Sequence, residues 1–178
     1  MDILTELAIK YGTDKWGKHH YTPVYYEMFK DKRETVKKVL EIGPAEGAGL
    51  KMFRDFFPNA TIYGMEIDQK RVDNLQGLDR IEVFQGDQST YALFNVEETS
   101  AAGYSFDLVI DDGSHKPEDQ IFSCQMLMSK MPKNSVYIIE DVADPTIVLD
   151  GLSDFDCEFK KVGDRYDDRL VIVRHKNG

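Results

Sequence analysis

At 178 residues, with 42% hydrophobic and 30% charged residues, the chain has the size and composition of one soluble globular domain with a sizeable core. A formal net charge of −10 argues against nucleic acid as a partner, because phosphate backbones select basic surfaces. No apolar run approaches the ~20 residues that span a bilayer, and the opening MDILTELAIKYG lacks the basic and apolar regions of a signal peptide. Cys124 and Cys157 have no metal-type spacing, which predicts free thiols and a cytoplasmic location.

Residues 2–10 carry Ile3, Leu4, Leu7 and Ala8 at helical spacing, a short amphipathic helix. The next stretch, YGTDKWGKHHYTPVYYEMF, is dense in glycine, aromatics and histidine, with a helix from Thr22 or Pro23 to Phe29. Rings of this kind either cover a ligand or pack on the core edge. Residues 1–30 are therefore read as a helix and lid segment on a core of residues 31–178, one domain overall. Lys37–Gly43 reads as the first strand, and Gly47 and Gly49 lead into a helix over Leu50–Phe57. Strand, glycine turn and helix together point backbone N–H groups at a ligand. Thr61–Ile67 is the second strand, ending in Glu66 and Asp68, where an acidic residue about 20 positions after the glycine turn accepts hydrogen bonds from ribose hydroxyls. A helix over Arg71–Leu78 and a third strand over Arg80–Gln85 follow, closed by Gly86–Asp87–Gln88–Ser89.

The fourth strand, within FDLVIDDGSH, runs into Asp111, Asp112 and His115; a helix follows over Pro117–Met131. The fifth, Val136–Ile139, runs into Glu140 and Asp141. Two apolar strands that both end in carboxylates predict a site, because such charges do not gather without something to offset their repulsion. Residues 157–162 and 169–174 read as two late strands joined by the acidic turn GDRYDD. Alternating strands and helices imply a parallel sheet with helices on both faces. The late pair implies an antiparallel edge hairpin. That combination predicts an α/β, Rossmann-like class I methyltransferase fold with a seven-stranded, mostly parallel sheet. EIGPAEGAG lacks the G-x-G-x-x-G spacing of a dinucleotide fingerprint, and S-adenosylmethionine, which carries no pyrophosphate, does not require it. Asp87, after the third strand, is placed for a polar contact to adenine.

Tyr11-Gly-Thr-Asp-Lys15-Trp-Gly, His19-x-Tyr21-Thr22-x-x-Tyr25, LEIGxxxGxxL, FPNATIYGMEI, VFQGDQS, IDDGSH and YIIED occur in that order from about Leu7 to Asp141. Together they resemble the macrocin/mycinamicin type of sugar O-methyltransferase. The resemblance implies S-adenosylmethionine as methyl donor, a divalent cation (usually magnesium) and a sugar hydroxyl as acceptor. It puts Asp112, Glu140 and Asp141 on the family's metal ligands, His115 on its general base and Glu66 on its ribose-binding acid. Strands one, four and five of such a sheet are neighbours at ~4.8 Å, so their ends meet outside the carboxyl edge. Three carboxylates suit a hard, oxygen-preferring cation, and His115 lies within reach of a hydroxyl bound there.

These readings assign Glu41, Gly43, Gly47, Gly49, Glu66 and Asp87 to the cofactor. Tyr21 and Thr22 close over it, and Asp111 either contacts it or caps its own turn. Trp16, His19 and Tyr25 are assigned to the acceptor. A catechol-type O-methyltransferase is the alternative, since a catechol is also a chelating diol, though it would wall its acceptor with apolar residues. A non-catalytic adenosyl-binding protein is the third reading, disfavoured by an intact Asp112–His115–Glu140–Asp141 set. Longer family members assemble into oligomers, so a homo-oligomer stays open here.

Overall fold

The computed structural model describes residues 1–90 and 105–176. The chain forms α1 (Ile3–Tyr11), α2 (Thr22–Phe29), β1 (Lys38–Ile42), α3 (Ala48–Phe56), β2 (Thr61–Glu66), α4 (Gln69–Asn74), β3 (Ile81–Gln85), β4 (Leu108–Asp111), α5 (Pro117–Met128), β5 (Val136–Ile139), α6 (Pro145–Gly151), β6 (Asp156–Lys161) and β7 (Arg169–Arg174). The seven strands lie in the order β3-β2-β1-β4-β5-β7-β6. β1 to β5 are parallel, whereas β7 runs antiparallel to both β5 and β6. The hairpin at one edge is thus the one expected from the short acidic turn.

Strands β4 and β5 are buried along their whole length and read as unbroken apolar runs, because helices cover both faces of the sheet. On one face Val39, Leu108, Ile110 and Ile138 pack with Leu4, Tyr25, Phe53 and Phe56 of α1, α2 and α3. On the other Leu40, Val109, Tyr137 and Ile139 pack with Cys124, Leu127 and Val148 of α5 and α6. Residues from α1 and α2 thus share a core with the sheet. Asp55 of α3 ties α1 down: Tyr11 Oη donates to it at 2.5 Å and Lys10 Nζ at 2.9 Å.

The helix after β2 starts and stops earlier than the periodicity predicts. Asp68 caps its start by accepting from Lys70 N at 2.9 Å, and Gly77 has a left-handed backbone (φ 76°) beyond its end. α5 stops at Met128, short of Met131. α6 has no counterpart in the sequence reading, although Asp144 followed by Pro145 is a start signal; the Asp144 carboxylate accepts from Thr146 N at 3.1 Å.

Register decides which ends meet. Ile42 pairs with Asp111, and Asp111 pairs with Ile139, so the carboxyl ends of β1, β4 and β5 are level. Among the described residues no helix is long and apolar enough to cross a membrane.

Candidate active site

Side chains alternate across a strand, so Glu41 and Asp111 leave the sheet on opposite faces. Asp111 turns toward α5, fully buried, and accepts hydrogen bonds from Tyr137 Oη (2.7 Å), Ser123 Oγ (2.9 Å) and Gln88 Nε2 (3.0 Å). Burial pushes its carboxyl up to about 6, against the downward pull of those donors. It does not line the cleft expected for the cofactor. Its reach is indirect, through Gln88, whose Oε1 accepts from Ser114 N at 2.5 Å. Asp112, one residue on, returns to the face of Glu41.

There the chain brings in a cation, Lys15, to which the motif patterns assign no role. Lys15 is 1% exposed. Its ammonium lies 2.7 Å from Glu140 Oε2, 2.8 Å from Asp112 Oδ2 and 3.2 Å from Glu41 Oε1. Burial alone would lower its pKa, but these three carboxylates hold it well above the ordinary lysine value. Burial pushes Glu140 and Glu41 up, and the Lys15 ammonium pulls both back. Glu140 gives its other oxygen to Tyr25 Oη. One ammonium among four carboxylates (Glu41, Asp112, Glu140, Asp141) leaves a net negative site.

Gly43 and Gly49 are required here. Gly43 has φ 76°, and a Cβ on it would stand 2.4 Å from the carbonyl oxygen of Asp112. A Cβ on Gly49 would stand 2.2 Å from Glu41 Oε1, so the turn presses on that carboxylate. Glu41 Oε2 is buried without a hydrogen-bond partner among the described residues.

Two clefts open at this edge and share Gly43, Ala45 and Asp112. The first, about 360 Å³, is lined by Met65, Glu66, Ile67, Arg71, Asp87 and Gly113 among others. Glu66 is held at its rim by two backbone amides, Ala45 N (3.1 Å) and Asp68 N (3.0 Å). The second, about 340 Å³, has a polar wall that includes Thr13, Asp14, Lys18, Glu46, His115 and Asp141. Asp112, His115 and Asp141 each offer a ligand atom, all within 4.8 Å of one another. Glu140 is outside that group, and Lys15 and Tyr25 engage its two oxygens. Asp141 has a left-handed backbone (φ 51°), a conformation aspartate tolerates better than most residues.

Thr13, Asp14 and Lys18 of the N-terminal segment line the second cleft, whereas Trp16, His19, Tyr21, Thr22 and Tyr25 stand behind it. Thr22 is buried and its hydroxyl meets that of Thr5 at 2.8 Å. Tyr25 backs Glu140, and Tyr21 Oη donates to Asp141 Oδ1 at 2.5 Å. Trp16 packs on the core edge and meets His20 edge-on at 5.0 Å. His19 is buried against Asp168, with Nδ1 and Oδ1 2.8 Å apart.

No protein-family model matches the chain. Its sequence is 39% identical to mycinamicin VI 2''-O-methyltransferase of Micromonospora griseorubida and 37% identical to demethylmacrocin O-methyltransferase of Streptomyces fradiae. Each match covers 78% of this chain and 36% of the relative. The solved MycE methyltransferase of the mycinamycin biosynthetic pathway, in complex with Mg and SAH, superposes with a TM-score of 0.75 at 30% identity. That match covers 97% of this chain and 54% of MycE. Strand order, edge hairpin and glycine turn together define a class I methyltransferase fold. Within that class the chain is related to the macrocin/mycinamicin type of sugar O-methyltransferase. It spans about a third of the length of the curated relatives it matches.

Proposed function

We propose that this chain binds S-adenosylmethionine in the cleft beside Gly43 and a divalent cation, magnesium, at Asp112 and Asp141, and methylates a hydroxyl of a sugar diol. The observation that carries the reading is a shared residue: Asp112 belongs both to the 360 Å³ cleft and to the Asp112–His115–Asp141 cluster. A donor in that cleft and a cation at that cluster are therefore neighbours. The donor set is oxygen-rich and net negative, which suits a hard dication. Glu140 is the third ligand expected from the family pattern, and here Lys15 and Tyr25 engage its two oxygens. The relatives' names are those of sugar O-methyltransferases, and MycE carries Mg and SAH.

When bound, the cation would acidify a coordinated hydroxyl and the donor would supply an electrophilic methyl group. The remaining work falls to the chain. His115, exposed beside Asp112, takes the proton from the acceptor hydroxyl as general base. Glu66, fixed by the Ala45 and Asp68 amides, accepts from the ribose hydroxyls, and Asp87 faces the adenine end. Lys15 keeps the buried carboxylates from repelling one another. The polar wall of the second cleft favours a sugar over a catechol, whose ring would need apolar cover.

Calorimetric titration with S-adenosylmethionine, with magnesium and then with a chelator, tests the reading. Donor binding together with a magnesium site that Asp112→Ala removes is the expected result. Acceptor sugars are then screened for a mass gain of one methyl group. An absence of donor binding in either condition would reduce the assignment to a fold.

A further inference from the structure

His19 is fully buried between two carboxylates on different parts of the chain. On one side its Nδ1 lies 2.8 Å from Asp168 Oδ1, at the start of β7. Asp168 is itself fixed: its Oδ2 accepts from Arg165 N at 2.8 Å, and Gly163 leaves the space that a Cβ, 2.1 Å from Oδ2, would take. On the other side His19 Nε2 faces Asp141 Oδ1 at 3.7 Å and has no hydrogen-bond partner among the described residues. The imidazole also stacks on Tyr21, with ring centroids 4.9 Å apart and planes 9° apart. Tyr21 Oη donates to the same Asp141 oxygen. The ring thus touches Asp141 by two routes, one through its own Nε2 and one through the tyrosine it backs.

We infer that His19 is a positioning residue for Asp141: anchored by Asp168, it and Tyr21 together hold Asp141 Oδ1, leaving the other oxygen for the cation. The inference rests on the divalent-cation reading of the Asp112–His115–Asp141 cluster. Residues that orient a metal-ligating carboxylate typically change metal affinity about 10–100-fold when removed. None of His19, Tyr21, Asp141 and Asp168 lines the donor cleft, so donor affinity should not follow.

The measurement is Mn²⁺ binding, read from the free-ion electron paramagnetic resonance signal, alongside S-adenosylmethionine affinity and the melting midpoint. His19→Phe keeps the stack on Tyr21 and removes both nitrogens; it should bind Mn²⁺ about tenfold or more weakly, with donor affinity unchanged. His19→Gln carries an amide toward the Nε2 position and should recover part of the loss, whereas His19→Asn reaches only the Asp168 side and should not. Asp112→Ala removes the Asp112–His115–Asp141 site and leaves the His19–Asp167–Asp168 group intact, so it fixes which site the Mn²⁺ signal reports. The glutamine–asparagine contrast then decides the matter even if His19→Phe fails to fold. Wild-type Mn²⁺ affinity in His19→Phe, or equal affinities in the glutamine and asparagine variants, would overturn the role of His19 alone. A wild-type chain that binds donor but no Mn²⁺ would overturn the cation reading and this inference with it.

Discussion

Lys15 has the largest electrostatic task of any single side chain described here. Its buried ammonium compensates buried Glu41 and Glu140 and partly exposed Asp112. Removing one partner of a buried ion cluster costs about 3–5 kcal/mol, because the others are left as uncompensated buried charges. Lys15→Met is therefore expected to lower the unfolding free energy from urea titration by that amount, and an unchanged value would mean the carboxylates are protonated without it. His115→Ala should behave differently. Donor and cation binding persist, while turnover falls about 10²–10⁴-fold; substantial remaining activity would remove His115 as the base. Sequence reasoning found the carboxylates because acidic residues after apolar strands are conspicuous. It gave Lys15 no role because a lysine in a glycine-rich loop ordinarily reads as solvated, and nothing local reveals a partner 97 or 125 residues away. The division of labour between Asp111 and Asp112 was more accessible: the period of two in a strand already separates neighbours to opposite faces.

Among the elements, β1 and α3 meet where the glycine turn presses on Glu41. Gly49→Ala would force its Cβ onto a carboxylate that Lys15 holds in place, so a stability loss of about 1–3 kcal/mol and weaker donor binding are expected together. Between α1 and α3, partial burial would raise Asp55, but hydrogen bonds from Tyr11, Lys10 and Arg54 outweigh it and hold the carboxyl down to about 2. A depressed carboxyl contributes stability that is present above its ordinary value near 4 and lost as pH falls toward about 2. Asp55→Asn should therefore flatten the acid end of the stability curve between pH 4 and 2 while leaving its shape above pH 5 unchanged, as followed by circular dichroism. The strands were legible because buried parallel strands leave unbroken apolar runs. Helix ends were less so: α4 and α6 are short, and each is started by an aspartate cap more than by an apolar stripe.

The whole chain offers one further check. A ligand that binds only the folded state stabilises it by about 2.7 kcal/mol at a hundredfold excess over Kd. For a domain of this size that is a rise in Tm of about 5–10 °C. S-adenosylmethionine should produce it by scanning fluorimetry, and a flat melting curve would count against the donor cleft. The separation of Lys15 from Glu140 along the chain also has a consequence for biosynthesis. A ribosome adds about 5–20 residues per second. The 125 residues that separate Lys15 from Glu140 therefore amount to a wait of about 6–25 s in which the lysine has emerged and its last counter-charge has not been made. Until then the nascent segment, with Tyr11, Tyr21, Tyr25 and Tyr26, has no buried ion cluster to join.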